Sequence, residues 1–145
     1  MVNGRNKGAA FERELAKILL DELGLTFKRD IEQYREADHG DLICVDMPDF
    51  PFSIEAKRYR AGYGIQPQWW TQTCDSALAT NKLPLLVYKY DRLPIRWRFP
   101  VAAVVGMSDF VPAGDIAEQY DWRYAVECDQ VTAMMIIREH LADVG

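Results

Sequence analysis

The sequence predicts an α/β protein whose elements run in the order α, β, β, β, α, β, followed by a C-terminal β/α extension. Two segments of this core place apolar residues at helical spacing, and the segments between them are short, β-rich and bounded by turn residues. A chain of 145 residues suffices for one continuous core. We therefore expect a single domain over residues 1–145, with its core at about 5–90 and the extension at about 91–145.

The first predicted element is an amphipathic helix over residues 11–23. Its apolar residues share one face, and they are Phe11, Leu15, Ile18, Leu19 and Leu23. Glu12 lies at the edge of that face, whereas Glu14 takes its place if the helix is rotated slightly. Gly24 is expected to end the helix.

Three strands are predicted next. Residues 26–35 alternate loosely between apolar and polar side chains, and residues 42–45 form a short apolar run entered at Asp41. The turn at 47–51 contains two prolines and leads into a third strand over 52–59. The second and third strands should therefore form an antiparallel hairpin.

A second helix is predicted over residues 66–80, with Pro67 in its first turn, and a strand follows at 85–90. The extension contains an alternating segment at 95–99, an apolar run at 101–105, a strand at 122–127 and a closing helix at 131–141. Trp70 of the second helix is assigned to the core.

Composition indicates a soluble globular protein, with 49% hydrophobic and 27% charged residues. No apolar run approaches the roughly 18 residues that span a bilayer, and the N-terminus lacks the apolar core of a signal peptide. We therefore expect a cytoplasmic protein with no membrane partner. Cys44, Cys74 and Cys128 form no CxxC pair, so we expect reduced, partly buried packing residues.

The net charge of −5 does not favour a nucleic-acid partner, but the charges are unevenly distributed along the chain. Residues 36–52 carry five acidic and no basic side chains, and residues 53–98 carry eight basic and three acidic ones. An acidic block beside a basic stretch is what a cation site next to a polyanion site requires. Chance scatter of charges is the alternative.

The candidate chemistry lies on Asp41, Glu55 and Lys57. In a strand Glu55 and Lys57 point to one face while Ile54 and Ala56 point to the other. Charged side chains in the middle of a sheet are costly unless they are paired or bind something. An ordinary cross-strand ion pair is the competing interpretation.

A hairpin would bring Asp41 and Glu55 to one end of the sheet, where the Ala56 carbonyl could add a third oxygen. Mg²⁺ prefers oxygen ligands and is commonly held by one or two carboxylates, waters and substrate phosphates. Lys57 beside the metal could orient a water or stabilise charge on the phosphate. The reaction implied is hydrolysis of a phosphodiester bond.

These residues resemble the signature of the PD-(D/E)XK nucleases, in which an acidic residue is followed by an acidic-x-Lys motif on the next strand. The similarity extends to archaeal-type Holliday junction resolvases over about residues 5–90. The motifs that carry it are Lys7-Gly8, Glu12-Arg13-Glu14-Leu15, Gly40-Asp41-Leu42-Ile43 and Ile54-Glu55-Ala56-Lys57.

The resemblance implies a restriction-endonuclease-like fold, with a central mixed sheet flanked by helices. It also implies a Mg²⁺-dependent endonuclease, with Mn²⁺ as a substitute, that acts as a homodimer on branched DNA. Carried over by position, Glu12 is the helix carboxylate, Asp41 and Glu55 are metal ligands and Lys57 is the catalytic lysine. Gln72 matches a glutamine that helps to order the site.

Five residues are candidate DNA contacts, namely Arg5, Lys7, Arg58, Arg60 and Trp69. Arg96 and Arg98 also suit phosphates, although alternating arginines on an edge strand can serve solubility instead. His39 and His140 are expected to be solvated. Two alternatives to a resolvase stay open: a related nuclease acting on flap, duplex or single-stranded DNA, and a non-catalytic DNA-binding subunit with the same fold.

Overall fold

The computed structural model describes residues 4–30, 40–105 and 124–144. Its helices are α1 (Gly4–Leu23), α2 (Pro67–Ala79), a 3₁₀ turn (Val101–Ala103) and α3 (Gln130–Val144). Its strands are β1 (Phe27–Arg29), β2 (Leu42–Cys44), β3 (Phe52–Tyr59), β4 (Leu83–Tyr90), β5 (Arg96–Pro100) and β6 (Ala125–Cys128). Across these residues, no helix has the length and apolar character needed to cross a membrane.

All six strands form one sheet in the order β1-β2-β3-β4-β5-β6. Neighbouring strands are antiparallel except for β3 and β4, which are parallel and are joined through α2. Leu42 lies opposite Ile54 in the β2–β3 pair, so the predicted antiparallel hairpin is confirmed. The predicted α/β class and the mixed central sheet are confirmed as well.

The two faces of the sheet are covered by different helices. Ile54 packs with Leu15 and Leu19 of α1 and with Ile137 of α3 in the larger apolar core. Trp70 of α2 is fully buried in a second cluster on the other face. The strand period therefore divides β3 between an apolar face under α1 and a polar face under α2.

Helix boundaries follow local signals where these exist. Gly24 has φ +71° and its N–H bonds to the Leu20 carbonyl, so it ends α1 as predicted. Pro67 opens α2, which has no side-chain cap. The start of α1 at Gly4 rather than at residue 11 was missed, because the first turns contain no apolar face to indicate a helix.

Two strands differ from their predictions, one in its length and the other in its position in the sheet. β1 ends at Arg29, and residues 31–35 of the predicted strand lie outside the described residues. β5 was considered an edge strand, yet it lies between β4 and β6. Its Arg98 is 9% exposed because Glu127 of β6 accepts a hydrogen bond from its Nη1 at 2.8 Å.

His140 was predicted to be solvated, and this is wrong. Its Nε2 lies 2.7 Å from the Ala103 carbonyl, where it donates a hydrogen bond, and its ring packs edge-on against Phe52 at 5.1 Å. His140 therefore anchors α3 to the sheet and to the 3₁₀ turn. His39 lies outside the described residues.

We expect Cys44 and Cys74 to resist alkylation in the folded protein at pH 8. Both thiols are buried, and burial raises the pKa of Cys74 to about 12 and raises that of Cys44 as well. Mass spectrometry after iodoacetamide treatment, with and without denaturant, measures this. If either thiol is labelled as fast without denaturant as with it, that thiol is not buried in the folded protein.

Candidate active site

Asp41 is held against β3 at the point where β2 begins. Its backbone N–H donates to the Ile54 carbonyl at 2.7 Å, and its Oδ2 accepts from the Ala56 N–H at 2.8 Å. Its own carbonyl accepts from the Asp30 N–H at 3.0 Å. Only 8% of the residue is exposed, so the carboxylate is fixed next to Glu55 and Ala56.

Glu55 is fully buried on the α2 face of β3. Ser76 of α2 donates from its Oγ to Glu55 Oε1 at 3.2 Å. A buried carboxylate pays a large desolvation penalty, which hydrogen bonds and nearby positive charge must offset. Such a residue is unusual in a core and marks this part of the sheet as a candidate site.

Lys57 follows Glu55 on the same face and is partly buried. Its Nζ donates to Gln72 Oε1 at 2.9 Å. Gln72 and Ser76 are four residues apart and therefore lie on one side of α2. One helix thus contacts both the lysine and the glutamate, through Gln72 and Ser76.

Ser76 was not predicted as a site residue. The signal available in the sequence was its spacing of four residues from Gln72, which places the two polar side chains on one helix face. That signal is weak, since a serine in a helix is common.

Glu12 lies on α1, under the opposite face of the sheet from Glu55. Its Oε2 accepts a hydrogen bond from Arg29 Nε at 2.7 Å, and its side chain is 18% exposed. Arg29 precedes Asp30, whose backbone bonds to Asp41, so Glu12 adjoins the site through β1. Glu14 is exposed, which settles the helix phase in favour of Glu12. Arg29 was not predicted.

The candidate DNA contacts have different environments. Lys7 Nζ and Arg58 Nη2 both reach Asp91 Oδ1, at 3.0 and 2.5 Å. These hydrogen bonds hold the pKa of Asp91 below its usual value. Arg60 is exposed and available to a polyanion. Arg5 lies in α1, but its side chain is not among those that the structure describes.

Trp69 does not suit the predicted role of stacking on bases. It is 4% exposed, and Tyr59 covers it in a parallel stack with ring centroids 5.0 Å apart. Tyr88 and Tyr90 also pack against its ring. The adjacent tryptophans therefore both belong to the buried cluster between α2 and β4.

The donor set at the site suits a hard divalent cation. Asp41 and Glu55 offer carboxylate oxygens and Ala56 offers a carbonyl, all within one short stretch of the β2–β3 pair. Among the described residues no group of three or more His, Cys, Asp or Glu forms a self-sufficient metal cage. Two carboxylates completed by water and substrate phosphate are characteristic of Mg²⁺.

The mixed sheet presents an aspartate, a buried glutamate and a lysine from adjacent strands, in the order of the PD-(D/E)XK motif. The family model described as "Phage putative PDDEXK endonuclease" matches residues 3–113 of this chain. The chain therefore belongs to this endonuclease family, as its motifs predicted. The match continues beyond residue 90, so it includes part of the predicted extension.

Among solved structures, the chain is similar to the Holliday junction resolvase Hjc of the archaeal hyperthermophile Archaeoglobus fulgidus. The two share 20% sequence identity and superpose with a TM-score of 0.47, covering 65% of this chain and 76% of the resolvase chain. No curated protein matches the sequence.

Proposed function

We propose that this chain is a metal-dependent deoxyribonuclease that hydrolyses phosphodiester bonds within branched DNA, as a Holliday junction resolvase does. Mg²⁺ is the proposed cofactor, with Mn²⁺ as a substitute. The observation that carries the chemistry is the Asp41–Ala56 hydrogen bond at 2.8 Å, which fixes one carboxylate beside the Glu55-Ala56-Lys57 segment. The choice of branched DNA rests on the sequence motifs shared with archaeal-type resolvases.

In this mechanism a bound Mg²⁺ supplies Lewis acidity toward the phosphate and lowers the pKa of a ligated water. Asp41 and Glu55 would hold the ion, together with the carbonyl of Ala56. Lys57 orients the attacking water or stabilises the negative charge that develops on the phosphate. Gln72 keeps the ammonium of Lys57 in place, which limits the reorganisation needed during reaction.

Assembly is part of the same proposal. A four-way junction is cut symmetrically when two identical sites act on it, so we propose a homodimer. Light scattering of the purified protein tests this independently of activity. A monomer at the concentrations that support cleavage would contradict the dimer while leaving the chemistry intact.

A cleavage panel tests the proposed function most directly. Labelled four-way junction, flap, duplex and single-stranded DNA are incubated with the protein in Mg²⁺, in Mn²⁺ and in EDTA. Paired nicks at symmetric positions of the junction are expected only with metal. If another DNA is cut preferentially, that DNA is the substrate instead of the junction. If no DNA is cut, the enzymatic proposal is refuted in favour of a DNA-binding subunit.

The metal site has a separate test in Asp41→Asn. The amide retains an oxygen that can accept from the Ala56 N–H, but it lacks the negative charge that attracts the cation. Calorimetric Mg²⁺ binding should be lost, or weakened at least about tenfold, in line with the effects typical of perturbed metal sites. Asp143→Asn, an exposed change on α3, serves as the control. If both variants bind Mg²⁺ with equal affinity, Asp41 is not a ligand of the metal.

A further inference from the structure

An aromatic pocket opens on the same face of the sheet as Lys57. It has a volume of about 250 Å³ and is lined by Tyr63, Tyr88, Tyr90, Leu93, Pro94 and Arg96. This is smaller than the roughly 300–1,000 Å³ of pockets that enclose drug-sized ligands. Its size and aromatic lining suit one planar ring system.

The register of the sheet places this pocket next to the candidate site. Lys57 of β3 lies opposite Tyr88 of β4, and Tyr88 lies opposite Arg96 of β5. Paired residues project to the same face, and adjacent strands are about 4.8 Å apart. Lys57 and the pocket therefore lie on the same face of the sheet and no more than two strands apart, which is within the span of a few nucleotides of one DNA strand.

Tyr63 stands at the rim of the pocket and is 92% exposed. The backbone around it is tightly constrained. Gly62 has φ +141°, and a Cβ there would lie 2.4 Å from the Tyr90 ring, so only glycine lets the loop lie against Tyr90. On the other side, Tyr90 Oη donates to the Gly64 carbonyl at 2.6 Å. The loop is thus held in place while the Tyr63 ring faces solvent.

The pocket also carries positive charge at its edge. Arg96 lines it with a side chain that is 39% exposed, and its Nε is 3.8 Å from Glu127. Glu127 makes shorter contacts to Arg98, at 2.8 Å, and to the Tyr88 hydroxyl, at 2.7 Å. Arg96 is therefore the arginine of this cluster that can meet a phosphate without giving up a close partner.

We propose that this pocket binds an unpaired nucleobase of the DNA strand that is cut, with Tyr63 stacked on the base and Arg96 against a neighbouring phosphate. Aromatic rings accept any base as a stacking partner, and an arginine nearby adds charge attraction. The inference rests on the proposed nuclease function and specifies its substrate as DNA with an unpaired nucleotide within a few nucleotides of the cleaved bond, as in a branch whose strands are not fully paired.

The test uses DNA in which one unpaired thymine at the branch is replaced by 5-iodouracil, with the full chain in EDTA so that nothing is cut. Irradiation should crosslink the base to Tyr63, as identified by mass spectrometry of the peptide. Tyr63→Ala should remove that crosslink and weaken binding of this DNA by about 5- to 140-fold, the range typical of losing one base–aromatic stack. Tyr63→Phe should retain both, and Met135→Ala, an exposed apolar change on α3, is the matched control.

Two further outcomes separate this proposal from the nuclease proposal. If Tyr63→Ala binds and crosslinks like the unchanged protein, the base subsite is refuted, whether or not cleavage occurs. If crosslinking at Tyr63 is found but no DNA is cut with metal present, the subsite stands and the nuclease proposal fails. A crosslink of equal yield to fully paired duplex would also overturn the requirement for an unpaired base.

Discussion

The substitution Lys57→Ala is expected to reduce DNA cleavage at least about 100-fold, the usual cost of losing a group that stabilises developing charge. DNA binding in EDTA should change only a few-fold, because one partly buried lysine contributes little to a multi-phosphate interface. Glu55→Gln should have a comparable effect on cleavage. Its amide oxygen can still accept from Ser76, so folding is expected to be retained.

The matched control is Lys89→Ala. Lys89 is also partly buried, but it follows Tyr88 on β4 and projects to the other face of the sheet. Initial rates on the preferred DNA and urea unfolding of each variant are the measurements. If Lys57→Ala cleaves at the rate of Lys89→Ala, the chemistry lies elsewhere in the chain.

The position of Lys57 was predictable because it depends on a local property. A strand alternates its side chains, so a segment reading Ile-Glu-Ala-Lys puts the two charged residues together without any knowledge of the fold. The β2–β3 hairpin was also predictable from local sequence. The short turn at 47–51 contains two prolines, which end one strand and lead directly into the next. These two facts were enough to bring Asp41 and Glu55 to one end of the sheet.

The residues that fix the site side chains were less predictable. Ser76 reaches Glu55 from 21 residues away, and Arg29 reaches Glu12 from 17 residues away. Each contact depends on which helix covers which face, and that is decided by the packing of the whole core rather than by a local pattern. Arg98 was misjudged for the same reason, because its partner Glu127 lies 29 residues further along the chain.

The two faces of β3 also explain why the site tolerates so much burial. Under α1, Ile54 is packed in an apolar core, which makes the strand rigid. Under α2, Glu55 and Lys57 each receive a hydrogen-bond partner from one helix face. A rigid strand with supported charges would preorganise the proposed metal site, and the apolar face offsets the cost of burying the charges.

Gly40→Ala should impair the site without removing any proposed catalytic group. A Cβ at Gly40 would lie 2.6 Å from the Ile54 carbonyl oxygen and 3.0 Å from the Ile54 nitrogen. Both are backbone atoms that cannot rotate away, so β2 must separate from β3. The Asp41–Ile54 hydrogen bond at 2.7 Å and the Asp41–Ala56 bond would lengthen with it. We expect cleavage to fall at least about tenfold, since misplacement of about 1 Å costs up to 100-fold.

The same change should lower the free energy of unfolding by about 1–3 kcal/mol, the usual cost of overpacking. Gly8→Ala is the control, because a Cβ at this position in α1 would meet nothing within 4 Å. There the substitution should raise stability by about 0.5–1 kcal/mol, since alanine favours a helix over glycine. Urea unfolding and Mg²⁺-dependent cleavage measured on both variants distinguish a local effect on Asp41 from general destabilisation. Wild-type cleavage by Gly40→Ala would mean that the close approach of β2 to β3 does not position the metal ligand.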